Sequence, residues 1–231
     1  NLGATVHYRQ GDSDEDRTAY GEVVLAAIGR VPNTDADWFR SSGLKLDERG
    51  YVTVDGYGRT NLDGVWALGD ITPGHALAHR AFEQGITIAE KIAGADPKPV
   101  LDDTVPQVVF SFPEAASVGL TLDQAKARED VVEPKETAYP MLSNARMLMS
   151  GEGGSMTVVS GAFANNPDMQ VVLGVHIVSP IASDLIAEAE QLVGNRVPLA
   201  DAARLIHPHP TFSETLGEAL LKADGRPLHT R

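Results

Sequence analysis

The chain has 231 residues, 42% hydrophobic and 22% charged, an ordinary globular composition with length for one large or two small domains. Nineteen Lys and Arg face 32 Asp and Glu, a formal charge of -13 with no basic run to offset it, so no nucleic-acid partner is expected. No apolar run approaches the ~18 residues of a membrane-spanning helix, so no membrane role is expected either. The absence of cysteine excludes a disulfide scaffold, a thiolate zinc site, a thiol nucleophile and a dithiol couple within these residues. Asn1-Leu2-Gly3-Ala4-Thr5-Val6 has neither an initiator Met nor the regions of a signal peptide, and reads as a start inside a larger, cytoplasmic protein.

Ala4 to Tyr8 and the wholly apolar run Val23 to Ile28 read as two strands joined by the charged turn Gly11 to Asp16. A continuous apolar run suits a strand covered on both faces of a parallel sheet, although a buried helix shares that pattern. Tyr51-Val52-Thr53-Val54-Asp55 alternates like a strand, and Val65-Trp66-Ala67-Leu68 reads as a short strand ending in Gly69-Asp70. The spacing predicts a helix over 75–93 with Leu77, Phe82, Ile86, Ile88, Ala89 and Ile92 as apolar members and Gly94 past its end. Pro97 and Pro99 mark a linker.

Short strands are expected at Val105 to Phe110 and Ala116 to Gly119, then a helix at Leu122 to Ala127. Ser155 to Phe163 and Gln170 to Val178 read as longer strands, with Ala164-Asn165-Asn166-Pro167-Asp168 as an antiparallel hairpin loop. Ser183 is expected to cap a helix carrying Leu185, Ile186, Ala189, Leu192 and Val193, stopped by Gly194-Asn195. A short helix at Pro198 to Leu205, a last one from Thr211 to Lys222 and a mobile tail from Asp224 to Arg231 complete the pattern. Antiparallel strands followed by helices indicate an α+β domain, with a boundary near Leu101 to Thr104.

His207-Pro208-His209-Pro210-Thr211-Phe212-Ser213-Glu214 is the strongest chemical signal. An imidazole and Glu214 within reach of each other make a general acid/base, because the carboxylate orients the ring, fixes its tautomer and favours imidazolium. On these residues alone the plainer reading is that Thr211-x-x-Glu214 is a capping box that only starts a helix; His-x-His could be a metal pair, though no third ligand is visible. At Gly69-Asp70 a carboxylate could meet a ligand hydroxyl while free helix N–H groups meet an electron-rich atom; a turn cap is an equal reading. Gly29-Arg30-Val31-Pro32 is weak alone, and His75, His79 and His176 default to surface or satisfied core roles.

The order of these segments is more specific than any one. Ala26-Ala27-Ile28-Gly29-Arg30-Val31-Pro32-Asn33, Tyr51 to Asp55, Ala67-Leu68-Gly69-Asp70 with Leu77-Ala78-His79, Gly174-Val175-His176-Ile177-Val178 and the His209 to Glu214 run together resemble the flavin-dependent pyridine nucleotide-disulfide oxidoreductases. Within them the chain is most similar to the branch that oxidises dihydrolipoyl groups. The resemblance spans essentially all 231 residues and implies an α/β plus α+β chain. Residues 1–53 would end the NAD-binding domain, 54–103 would be the last part of the FAD-binding domain, and 104–231 would be an antiparallel-sheet dimerisation domain flanked by helices. It also implies Gly29 at the nicotinamide nucleotide, Asp70 on the FAD ribityl chain, and Ala76, Leu77, Ala78 and His79 facing the flavin. His209 would be the acid/base and Glu214 its orienting partner. Asn144-Ala145-Arg146 resembles part of the interface domain, which pairs two subunits so that the His of one completes the disulfide site of the other. The implied partners are a second copy in a homodimer and a lipoyl-bearing protein or small disulfide. The implied cofactors are FAD and NAD, with none expected to be retained by these residues alone.

Some features depart from that pattern. His75-Ala76 replaces the usual Pro-Met, and the Gly-x-Gly-x-x-Gly loop for FAD pyrophosphate, the second glycine-rich loop and the Cys-x4-Cys pair are lacking. Rival readings are a glutathione or mycothione reductase, an NAD(P)H-quinone reductase, or a non-catalytic dimerisation module.

Overall fold

The computed structural model describes residues 3–230, so Asn1, Leu2 and Arg231 lie outside the described residues. β1 (Ala4–Tyr8) pairs antiparallel with β2 (Arg17–Gly21), Ala4 facing Gly21 and Tyr8 facing Arg17. The expected second strand, Val23 to Ile28, is instead irregular, and Val23, Val24, Leu25 and Ile28 are exposed. Such a run becomes a strand only where neighbours offer backbone partners and cover both faces, and among the described residues none lies beside it. The acidic segment Asp12 to Asp16 is the solvated turn expected, tied by an Arg9–Asp16 pair at 2.7 Å and an Arg17–Glu15 pair at 3.1 Å.

After the short helix α1 (Asp37–Ser41), the strands expected at Tyr51 to Asp55 and Val65 to Leu68 shrink to the single bridges Leu46–Val52 and Arg59–Trp66. Phe39, Val52 and Ala67 nonetheless form a small core. Gly69–Ile71 forms a 3-10 turn rather than the end of a strand. α2 (Ala78–Ile92) buries Arg80, Thr87 and Ile88, while Phe82, Ile86 and Ile92 are exposed. The inward face therefore differs from the apolar stripe in the sequence. Arg80 is tolerated inside because Asp102 and two carbonyls satisfy it.

The second unit is a five-stranded antiparallel sheet in the order β3-β4-β7-β6-β5. Its strands are β3 (Gln107–Val109), β4 (Glu114–Gly119), β5 (Val131–Pro140), β6 (Ser155–Phe163) and β7 (Asn166–Ser179). β6 and β7 form the expected hairpin, tightened to a two-residue turn at Ala164-Asn165. In β7, Val171 and Leu173 face one core and Val172, Val175 and Ile177 the other. The parity changes at a register shift where Val159 pairs Gly174 and Ser160 pairs Val172, leaving Leu173 as the extra residue of a bulge. Gly174 sits at that bulge because a Cβ there would meet the Leu120 backbone oxygen and nitrogen.

α3 (Leu122–Ala127) starts at a complete capping box between Thr121 and Gln124. α4 (Ala145–Ser150), α5 (Ala182–Gly194), α6 (Leu199–Ala202) and α7 (Glu214–Ala223) follow. α5 and α7 contribute Leu185, Ile186, Ala189, Leu216, Ala219 and Leu220 to the main core against the sheet. Ser183 does not cap α5; Ile181 is the N-cap residue, and the Glu114 carboxylate on β4 accepts the Ser183 N–H at 2.9 Å. That hydrogen bond holds the Glu114 carboxyl below its usual value. Of the tail expected to be mobile, the described part folds back at His229, where Glu218, itself buried, accepts from His229 Nδ1 at 2.8 Å and from the His229 N–H at 3.3 Å.

Candidate active site

His209 lies in the loop between α6 and α7, and Glu214 opens α7. His209 Nδ1 stands 2.9 Å from Glu214 Oε1, and the Thr211 N–H donates to Glu214 Oε2 at 2.8 Å. One carboxylate thus meets both readings of the sequence, one oxygen on the imidazole and the other on the loop backbone. The reciprocal half of a capping box is missing, because Thr211 Oγ1 turns to the Pro208 carbonyl and Ser213 Oγ. Burial works to raise the Glu214 carboxyl, but the Thr211 N–H and His209 outweigh it and hold it below the usual carboxylate value. An ionised carboxylate only accepts, so Nδ1 of a neutral His209 carries the proton and Nε2 presents its lone pair. The His209 side chain is 70% exposed against 21% for Glu214, so the ring reaches outward from a held base.

His207, two residues earlier, has another partner. Its Nε2 lies 2.7 Å from Glu188 Oε1 on α5, and its ring is nearly buried. A Cβ on Gly217 would strike the imidazole, so α7 presents bare backbone there. The Glu188 hydrogen bond raises the His207 pKa against the opposing effect of burial, with help from the Leu205 carbonyl and Glu214. The His-x-His pair is therefore split between two carboxylates, and among the described residues no cluster of three or more His, Cys, Asp or Glu could hold a metal ion. Tyr139 on β5 is fully buried; burial and then the charges of Glu218 and Glu214 push its pKa up to about 12, so it remains a neutral phenol.

The segments expected to face cofactors are gathered around the start of α2. Gly69 N–H donates to Gln84 Oε1 at 2.9 Å, seating the 3-10 turn on the helix, and Asp70 is left exposed. Arg30 Nη2 lies 4.0 Å from Asp70 Oδ2 with both side chains exposed, and Gly29, next to Arg30, has φ 127. Leu77 is an N-cap residue without a side-chain cap, so the N–H groups of Ala78, His79 and Arg80 have no partner within the helix. His79 Nε2 contacts the Pro106 carbonyl at 2.6 Å, His75 Nε2 contacts Gln107 Nε2 at 3.1 Å, and His176 Nε2 contacts the Leu120 carbonyl at 3.1 Å. His79 therefore turns its Nε2 toward the segment that leads into β3.

Sequence reasoning missed Glu188, Gly217, Arg80 and Asp102. Arg80 gave a usable sign, a cation one helical turn into a segment read as apolar; Glu188 gave none.

The sequence profile described as pyridine nucleotide-disulphide oxidoreductase, dimerisation domain, matches residues 105–220, and that of pyridine nucleotide-disulphide oxidoreductase matches residues 3–85. A dihydrolipoyl dehydrogenase of Cupriavidus necator is 39% identical over 229 residues, covering 98% of this chain and 46% of the relative. One from Geobacillus stearothermophilus is 38% identical over 229 residues with the same coverage. The crystal structure of LpdA from Mycobacterium tuberculosis superposes with a TM-score of 0.80 at 30% identity, over 94% of this chain and 47% of that one. The chain spans about half the length of the relatives it matches. By the match of its dimerisation domain, which covers half of its residues, this chain belongs to the pyridine nucleotide-disulphide oxidoreductases.

Proposed function

We propose that the chain is the acid/base and subunit-pairing half of a dihydrolipoyl dehydrogenase, which oxidises dihydrolipoamide to lipoamide and reduces NAD+ to NADH. The observation that carries this reading is the His209–Glu214 pair, an exposed imidazole with its Nδ1 held at 2.9 Å and its Nε2 free. In this role Nε2 accepts a thiol proton from the dithiol, and the thiolate so formed is the nucleophile of disulfide exchange. Glu214 stabilises the resulting imidazolium and keeps the ring in its tautomer. The reacting disulfide belongs to residues outside this chain, which has no cysteine, and for these 231 residues alone we expect subunit pairing without turnover.

FAD, when bound, would carry the electron pair between the dithiol and NAD+. Asp70 and the first N–H groups of α2 fit one edge of that group, a polyhydroxyl chain and an electron-rich ring atom respectively. Ala76 and Leu77 would place that backbone, and Gly29 would lie on the nicotinamide side. In this reading residues 1–53 end the NAD domain, 54–103 the FAD domain, and 104–231 pair two subunits.

Steady-state assays of the full-length protein with dihydrolipoamide, glutathione disulfide and mycothione separate this reading from its sister reductases. Turnover of dihydrolipoamide with NAD+ far above the other two supports it; preference for either of the others refutes it.

A further inference from the structure

Asn144 joins the start of α4 to the loop that carries His209. Its Oδ1 accepts the Met147 N–H at 3.1 Å and starts α4, and its Nδ2 donates to the Thr211 carbonyl at 3.1 Å, 67 residues along the chain. Thr211 is the residue whose own N–H is held by Glu214. The backbone of Thr211 is therefore pinned at both ends, by the side chain of Asn144 on one side and by that of Glu214 on the other. A second contact joins the same helix to the same loop, the Arg146 guanidinium lying 5.4 Å from the centre of the Phe212 ring. Asn144 is 5% exposed, so neither of its polar ends is free to exchange its partner for bulk water.

Helix capping alone does not ask for asparagine. An N-cap needs only a side-chain acceptor, and Ser, Thr or Asp supplies one as well. The amide NH2 is what distinguishes Asn at this position, and it is directed at the loop that carries His209. We propose that Asn144 is a positioning residue for the His209–Glu214 pair, fixing the Thr211 backbone and through it the carboxylate that orients the imidazole.

The consequence lies in the tautomer. Glu214 selects the Nδ1–H form of the neutral ring, whereas a free imidazole in water favours Nε2–H. If Thr211 turns away, Glu214 Oε2 loses its donor and Oε1 its fixed aim at His209, and the Nε2 lone pair is more often blocked by a proton. The inference rests on the reading of His209 as the acid/base, but its test does not depend on turnover.

Asn144→Ser in the 231-residue chain keeps an acceptor for the Met147 N–H and removes the donor to Thr211. NMR reads three quantities: amide exchange at Met147 and Leu148, amide exchange at Thr211, and the 15N shifts of the neutral His209 ring. The expected result is unchanged exchange in α4, Thr211 exchange faster by about two- to tenfold, and a shift of His209 toward Nε2–H, the size expected for one lost hydrogen bond. Either unchanged Thr211 exchange or an unchanged tautomer overturns the proposal. Should Ser also unfasten α4, Asn144→Asp retains the cap without a donor and is judged by Thr211 exchange alone, where no acceleration overturns the proposal. Normal turnover by a full-length His209→Gln protein would remove the catalytic reading and leave this clamp standing, so the two failures are distinguishable.

Discussion

Arg80→Ala should weaken the N-terminal unit far more than a surface substitution. Arg80 is 6% exposed; its Nε donates to Asp102 Oδ1 at 2.6 Å, its Nη2 to the Pro73 carbonyl at 2.6 Å, and its Nη1 reaches the His75 carbonyl at 3.5 Å. Hydrogen bonds to a charged group contribute about 1.5–3 kcal/mol each, and two of these are short. Asp102 is partly exposed, at 42%, and can recover water when its partner is removed, which places the loss near the low end, about 3 kcal/mol. Gly74, at φ 115, keeps this space open, since a Cβ there would meet Arg80 Nη2 and Asp102 Oδ2. The chain's two tryptophans, Trp38 and Trp66, both lie in this unit, so urea unfolding followed by tryptophan fluorescence reports it directly. Far-UV circular dichroism, dominated by the sheet and helices after residue 105, should shift less. A double-mutant cycle with Asp102→Asn should return a coupling of about 1–2 kcal/mol. A fluorescence-detected loss below about 0.5 kcal/mol, or additive single changes, would refute the reasoning.

His207 predicts a pH dependence. Its folded pKa is raised, so the stability from the Glu188 pair is complete below the unfolded value, about 6.5, and is lost as pH rises through the folded value. The stability gap between the native chain and His207→Gln should therefore be widest near pH 6 and narrow toward pH 9, and a gap that widens with pH contradicts the assignment. Gly174→Ala should cost about 1–3 kcal/mol in urea unfolding, because its Cβ meets Leu120 backbone atoms that cannot swing aside; a neutral change would mean that the β7 bulge is not as described.

Legibility from sequence followed the range of the interactions. The strand Ser155–Phe163 was readable because its β-branched residues act over a few positions, and the helix Leu122–Ala127 likewise forms from local residues, with a capping box at Thr121 and Gln124. β5 was missed because Glu133, Pro134, Lys135 and Glu136 interrupt its apolar pattern, and a register shift between Val132 and Lys135 accommodates them. Val23 to Ile28 was misread because its strand signal depends on neighbours that the described residues do not supply. The inward face of α2 was misjudged because it buries a cation whose partner lies 22 residues on. At the candidate site, His209 and Glu214 are five residues apart and could be paired by eye. His207 with Glu188, 19 residues apart, and Asn144 with Thr211, 67 apart, meet only once α4, α5 and α7 are docked on the sheet.

In the proposed function, His209 supplies the acid/base for a disulfide site completed by another part of the protein. Turnover of dihydrolipoamide by the full-length protein carrying His209→Gln, with FAD content and dimer size checked alongside, measures it directly. FAD should stay bound, the dimer should stay intact, and turnover should fall by about 10²–10⁴-fold, the range for a lost general acid/base. Turnover within a fewfold of the native protein would contradict it.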